Sequence, residues 1–241
     1  MIQSIEKAPG GASQQEEEGM ELRPIAHIRN SYREKFGIPR QSGLTDIVSR
    51  IEFEEEFSDA NAVRGLEGFS HIWLIWGFSE NDGDEAFRPT VRPPRLGGNE
   101  RMGVFATRSP FRPNPMGLSC VGLKGISMGT DGPVLEVTGA DLMDGTPIYD
   151  IKPYLKEFDS HPEAVSGFVG EREYKTLQVV FPQGLLEKLD VGDRLPLIQA
   201  LEQDPRPKYQ DDPERVYGML FADHDILFRV CNGVLTVTDV T

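Results

Sequence analysis

The spacing of short apolar runs constrains this chain most. Between Leu44 and Tyr154, brief apolar runs follow one another with turn signals between them and almost no helical period. The stretch "LTDIVSRIEF" (44–53) alternates, with Ile47, Ile51 and Phe53 on one face and Val48, Arg50 and Glu52 on the other, as a half-buried strand requires. "HIWLIWGF" (71–78) is apolar on both faces and reads as a central strand. "RMGVFAT" (101–107), "GLSCVGLKGI" (117–126) and "PVLEVTG" (133–139) read as further strands, set apart by turn sequences such as "TDGP" and "MDGT". Closely spaced strands with little helix between them predict a mainly β fold, a closed or nearly closed barrel.

After "YDIKPYLKEF" the character changes. Residues 159–180 are irregular, and "GLLEKL" suits a helical turn or the start of a short helix. "RVYGMLF", "DILFRVC" and "VLTVTDV" read as three strands, the last two joined by Asn232-Gly233, a pair suited to a type I′ hairpin turn. These boundaries predict a β-barrel domain over 21–158 and a small C-terminal α+β domain over 159–241. Residues 1–20, polar and acidic with almost nothing to bury, predict a disordered tail.

One loop stands out against this frame. "ATRSPFRPNPMGLS" (106–119) carries Pro110, Pro113 and Pro115, which fix φ and push Ser109, Arg112 and Asn114 toward extended geometry. It cannot be a central strand. It can hold Arg108, Arg112 and Asn114 in place with little entropy left to lose when a ligand arrives. From Arg88 to Arg112 the chain has six arginines, no lysine and a single acid, Glu100. Guanidinium forks suit bidentate contact with phosphate or carboxylate, so this cluster points to an anion-binding surface. The net charge of −14 argues against a protein coated in positive charge, but not against a local basic site.

Other chemistry is missing from the sequence. Cys120 and Cys231 lie far apart without metal-ligand spacing, and the four histidines are scattered, so neither a disulfide framework nor a metal site is expected. There is no G-x-G-x-x-G after a strand, no P-loop and no G-x-S-x-G elbow. No apolar run approaches the ~20 residues of a membrane span, and the N-terminus lacks an apolar signal stretch, so a cytoplasmic location is expected.

Five segments carry a specific resemblance: "SYREKFGIPRQSGL" (31–44), "AVRGLEGFSHIWLIW" (62–76), "RPTVRPPRLGGNERMGVFATRSPFRPNPMGLS" (88–119), "DLMDGTPIYDIKPY" (141–154) and "DPRPKY" (204–209). Together, and in this order, they resemble the TrmO (TsaA/YaeB) family. The resemblance implies an S-adenosylmethionine-dependent methyltransferase acting on N6 of threonylcarbamoyladenosine at position 37 of tRNA. It implies an N-terminal β-barrel rather than a Rossmann methyltransferase fold, working as a homodimer.

Carried onto matching positions, the resemblance implies donor contacts at Gln41, Ser42 and Gly43, at Arg108 and Leu118, and along Thr138, Gly139, Ala140 and Asp141. The loop at Ser79 and Glu80 is also expected to approach the donor, although its residues depart from the family pattern. The family commonly has Pro where this chain has Ser42, which leaves that loop less rigid. Arg108 or a neighbouring arginine is expected on the donor carboxylate and Asp141 on its polar or cationic parts. Arg92, Arg95, Arg101, Arg206, Lys208 and Tyr209 are the expected tRNA contacts. Arg112 and Asn114 are expected near the target base, and Asp144 is a further catalytic candidate whose Asp-Gly context equally suits a turn. No general base is assigned by the sequence. Two alternatives remain open: a barrel of the same type methylating another RNA or a small metabolite, and a noncatalytic barrel that senses the donor or binds RNA.

Overall fold

The structure is a computed structural model that describes residues 21–78, 87–93, 100–170, 175–207 and 212–241. It is mainly β. Strands β1 (Ala26–Arg29), β2 (Val48–Phe53), β3 (His71–Gly77), β6 (Met116–Gly129), β7 (Gly132–Thr138) and β8 (Pro147–Pro153) form one antiparallel sheet in the order β1-β2-β7-β6-β3-β8. Strand β8 pairs back onto β1 through Ala26 with Ile148 and His27 with Pro147, so the sheet closes into a barrel. A separate two-stranded ribbon joins β4 (Thr90–Val91) to β5 (Met102–Gly103).

Alternation sets what the barrel buries. Ser49 and Ile51 of β2 point inward, as do Ile72, Leu74 and Trp76 of β3, Ser119 and Val121 of β6, and Leu135 and Val137 of β7. Strand β3 is apolar on both faces because its outer face is also covered. Tyr154 lies beside the Trp73 ring at 5.8 Å, and Trp73 Nε1 donates to Asp159 in α1 (Lys156–Asp159). "RMGVFAT" differs from expectation: only Met102–Gly103 pair as strand, and Val104–Ala106 turn as a 3-10 helix that Thr107 Oγ1 caps by donating to Val104 O at 2.8 Å.

The C-terminal sheet runs in the order β10-β11-β12-β9, from β10 (Tyr217–Phe221), β11 (His224–Cys231), β12 (Val234–Val240) and β9 (Gln178–Val180). Asn232 and Gly233 both have positive φ, 50° and 78°, the pattern a type I′ turn needs. Two features are absent from the sequence reading. Strand β9 joins parallel to β12, and after the short α2 (Gln183–Leu186) the helix α3 (Val191–Glu202) packs Pro196, Leu197, Ala200 and Leu201 into the core. Gly192 and Pro196 disguise that helix, since each weakens a helix interior.

The division of the chain by sequence is not the division of its core. Tyr32 and Ile47, which flank the loop before β2, are buried in the C-terminal core with Phe221, Phe228 and Leu197. The Tyr32 ring meets Phe221 edge-on at 5.7 Å. Ser31 Oγ donates to Asp193, Glu34 accepts from the Leu220 N–H, and Asp46 exchanges hydrogen bonds with Gln199. Both tryptophans lie in barrel strand β3, so tyrosine loss at this junction tests whether the two sheets unfold together. Tyr32→Ala is expected to cost about 3–5 kcal/mol and to lower the urea midpoint read from tryptophan fluorescence. An unchanged midpoint would mean that the barrel unfolds independently of this junction.

Candidate active site

The loop 41–45 is pinned against the end of β7 by backbone. Gly43 N–H donates to Gly139 O at 2.8 Å, and Gly139 N–H donates to Ile47 O at 3.2 Å. Both glycines have positive φ, 78° and 79°, and a Cβ on Gly139 would stand 3.2 Å from the Gly43 backbone. Among the described residues nothing lies within 4 Å of where a Cβ on Gly43 would stand, so its backbone is open to a ligand on that side. Thr138, Gly139, Ala140 and Asp141 therefore share one place with Gln41, Ser42 and Gly43.

Asp141 is the chemical centre of this junction. Burial pushes its carboxyl above the ordinary aspartate range. That rise is opposed first by the Ser119 hydroxyl, which donates to Oδ1 at 2.5 Å, and then by backbone N–H groups, including that of Ser42, and by the nearby Arg108 cation. Arg108 is exposed and donates to Gln41 Oε1. A cation and a carboxylate thus flank an open glycine backbone, an arrangement suited to a ligand carrying both charges.

Ser119 was not among the expected site residues, nor was Trp76. The signal for Ser119 was a hydroxyl at an inward position of the run 116–123, which is otherwise apolar or glycine and where burial demands a partner. Leu118, by alternation, is exposed on the other face of β6 and does not join Asp141.

Several expected contacts have different roles here. Asp144 is not aimed at the site: its carboxylate accepts from the Asn30 N–H at 3.0 Å and from Arg33 at 2.7 Å, tying down the turn after β1. Arg112 folds back to donate to the carbonyls of Thr107 and Ser109, at 3.0 and 3.3 Å, and so braces its own proline-rich loop. Asn114 is exposed in that loop. Arg92 and Arg101 are exposed at one end of the β4-β5 ribbon, where the pairing of Val91 with Met102 places them side by side.

Arg206 is only 8% exposed. Its Nε and Nη2 grip both oxygens of Asp204, at 2.9 and 3.2 Å, and it lies over the Tyr217 ring. A buried bidentate pair organises the "DPRP" turn, so Arg206 has no surface to offer a phosphate in this conformation. Ser79, Glu80, Arg95, Lys208 and Tyr209 lie outside the described residues, as does the tail 1–20.

Two family models cover nearly the whole of this arrangement. The tRNA-methyltransferase O N-terminal domain matches residues 27–160, and the TrmO C-terminal domain matches residues 175–241. The chain belongs to the TrmO family. It is 41% identical over 218 residues to the tRNA (adenine(37)-N6)-methyltransferase of Escherichia coli, covering 87% of this chain and 92% of that protein. It is 40% identical over 211 residues to a Pseudomonas aeruginosa protein, RcsF, whose name places it among S-adenosylmethionine-dependent methyltransferases, covering 84% of this chain and 89% of that one. The crystal structure of TrmO from Pseudomonas aeruginosa superposes with a TM-score of 0.73 at 31% identity, over 92% of this chain and 99% of that one.

Two outcomes follow for the TrmO site and its flank. The raised Asp141 carboxyl favours the folded state while protonated and loses that contribution as pH rises through its folded-state titration. Asp141→Asn is therefore expected to raise the melting temperature of the donor-free chain near neutral pH, with the gain fading below about pH 4. Arg206→Ala removes the bidentate hydrogen bonds that Arg206 makes to Asp204 and is expected to cost about 1–3 kcal/mol in urea unfolding. An Arg206→Ala chain of unchanged stability that binds tRNA more weakly would restore the phosphate-contact reading.

Proposed function

We propose that this TrmO-family chain is the S-adenosylmethionine-dependent methyltransferase that acts on N6 of adenosine 37 in the tRNA anticodon loop, with threonylcarbamoyladenosine as its substrate base. The observation that carries this reading is the convergence of Gln41–Gly43, Arg108 and Thr138–Asp141 on one open backbone junction. The donor set fits S-adenosylmethionine. Arg108 suits its carboxylate, Asp141 suits its cationic groups, and the open face of Gly43 admits close approach.

The sulfonium supplies an electrophilic methyl group, so the chain needs no covalent intermediate. Its residues hold donor and acceptor in line: the N6–methyl bond forms as the sulfur–methyl bond breaks and the thioether leaves, and the proton of N6, a nitrogen made less nucleophilic by the adjacent carbonyl, passes to a base or to water. The braced 106–119 loop, with Arg112 bonded to its own carbonyls, gives that holding surface its stiffness. A base in an anticodon loop is single-stranded and can be splayed into a site, and its threonyl carboxylate offers a handle for arginine. Arg92, Arg101 and, in the same stretch, Arg95 take the phosphates, and Asn114 stands near the target base. The C-terminal α+β unit, with Lys208 and Tyr209, extends the tRNA surface.

The active form is a homodimer in the cytoplasm. Phe105 and Phe111, 71% and 61% exposed, together with Leu118, form apolar surface on and around the arginine-rich loop that a second copy would cover.

The direct test supplies labelled S-adenosylmethionine and bulk tRNA with or without the threonylcarbamoyl group, followed by nucleoside mass analysis. Methylated nucleoside from the modified tRNA alone is expected. Label in a metabolite pool and never in tRNA would move the activity to another acceptor, and binding without turnover would make the barrel a sensor. Arg108→Ala is expected to weaken donor binding at least about tenfold, the loss of a charge-assisted contact. Alanine at Arg92 or Arg101 is expected to leave donor binding alone and to lower the salt slope of tRNA binding by about one each.

A further inference from the structure

Behind Asp141 the barrel interior holds a hydrogen-bond chain whose direction is fixed while the Asp141 carboxyl is ionised. Trp76 Nε1–H donates to Ser119 Oγ at 3.0 Å, and Ser119 Oγ–H donates to Asp141 Oδ1 at 2.5 Å. An indole nitrogen can only donate, so the serine oxygen must accept from it, and the single hydroxyl proton is left for the carboxylate. Trp76 is 7% exposed and Ser119 2%, so water does not compete for either group.

The chain is built into the sheet. Strands β3 and β6 pair with Trp76 opposite Gly117 and Leu74 opposite Ser119. A Cβ on Gly117 would fall 2.1 Å from the indole, so glycine there is what lets the ring lie across the strand and reach two residues along it. Phe78 backs the indole at 4.4 Å between centroids. Two elements outside the site thus end on one oxygen inside it.

We propose that Ser119 is a positioning residue of the methyl-transfer site, held by Trp76, and that the two together keep the Asp141 carboxylate charged and aimed at the cationic side of the donor. This rests on the assignment of Asp141 to the donor site made above. Among the described residues, the groups facing Asp141 are Ser119 of β6, Arg108 of the proline-rich loop, the Ser42 backbone of the 41–45 loop, and Tyr32, whose phenol is pushed up by burial and bonded to Thr45. The Ser119 hydroxyl donates to Asp141 Oδ1 at 2.5 Å and so favours the charged carboxylate against burial. Remove its hydroxyl, and burial acts with less opposition.

The test uses the full chain and two readouts: the titration of the Asp141 side-chain carbon by NMR, with Asp141→Asn assigning the signal, and the affinity for S-adenosylmethionine as a function of pH. Ser119→Ala is expected to move the Asp141 midpoint up by about one pH unit. The pH profile of donor affinity moves with it, and affinity recovers toward that of the unsubstituted chain at pH values above the new midpoint. Trp76→Phe keeps the ring, loses the donor, and shifts both in the same direction by less. Ser119→Thr keeps the hydroxyl and the original midpoint. An unmoved midpoint in a folded Ser119→Ala chain would overturn the proposal, as would an affinity loss equal at every pH. A chain that titrates as expected but binds no donor at any pH would sink the donor-site assignment while upholding the control of Asp141 by Ser119.

Discussion

The contact between Gly43 and Gly139 is the constraint on which the rest of the site depends. Two backbones approach until a single Cβ would crowd them, and two hydrogen bonds close the junction. No side chain takes part, so the contact leaves side chains on both segments free for a ligand. It also fixes Asp141, two residues beyond Gly139, beside the Ser42 N–H. Without this approach the carboxylate and Arg108 would stand on unrelated loops.

The same loop ties the site to the second sheet. The segment from Ser31 to Ile47 contributes Tyr32 and Ile47 to the C-terminal core, and Gln41 and Gly43 to the site. Ordering of one end bears on the other through a short, well-bonded stretch of chain. Arg206 belongs to this structural layer: its grip on Asp204 shapes the turn after α3, next to the core that Leu197 and Leu201 build. Its basic side chain serves packing and turn geometry, as a buried bidentate arginine does.

What the sequence made legible follows period and turn chemistry. Alternation at Ile47, Ile51 and Phe53 and the doubly apolar run at His71–Phe78 located β2 and β3, and Asn232-Gly233 located its hairpin. Helix α3 was hidden because Gly192 and Pro196 read as breakers, while tertiary burial of Leu197 and Leu201 overrides that weakness. Strand β9 was hidden because three residues have no period to read, and its parallel partner is more than fifty residues away. Within the site, motif resemblance found the segments that meet but not the roles of single charges. Asp144 and Arg112 are polar residues in the right segments that spend their hydrogen bonds on the fold. Ser119 and Trp76 work from inside the barrel, which no linear motif reveals.

The account's central claim is that the donor enters at the Gly43–Gly139 junction. Amide hydrogen exchange of the full chain, with and without S-adenosylmethionine, tests it directly. Slowed exchange centred on residues 41–45, 106–119 and 138–142 is the predicted result. Protection centred elsewhere, such as the acidic cleft of Glu54, Glu55 and Glu56 beside Arg23, would contradict it.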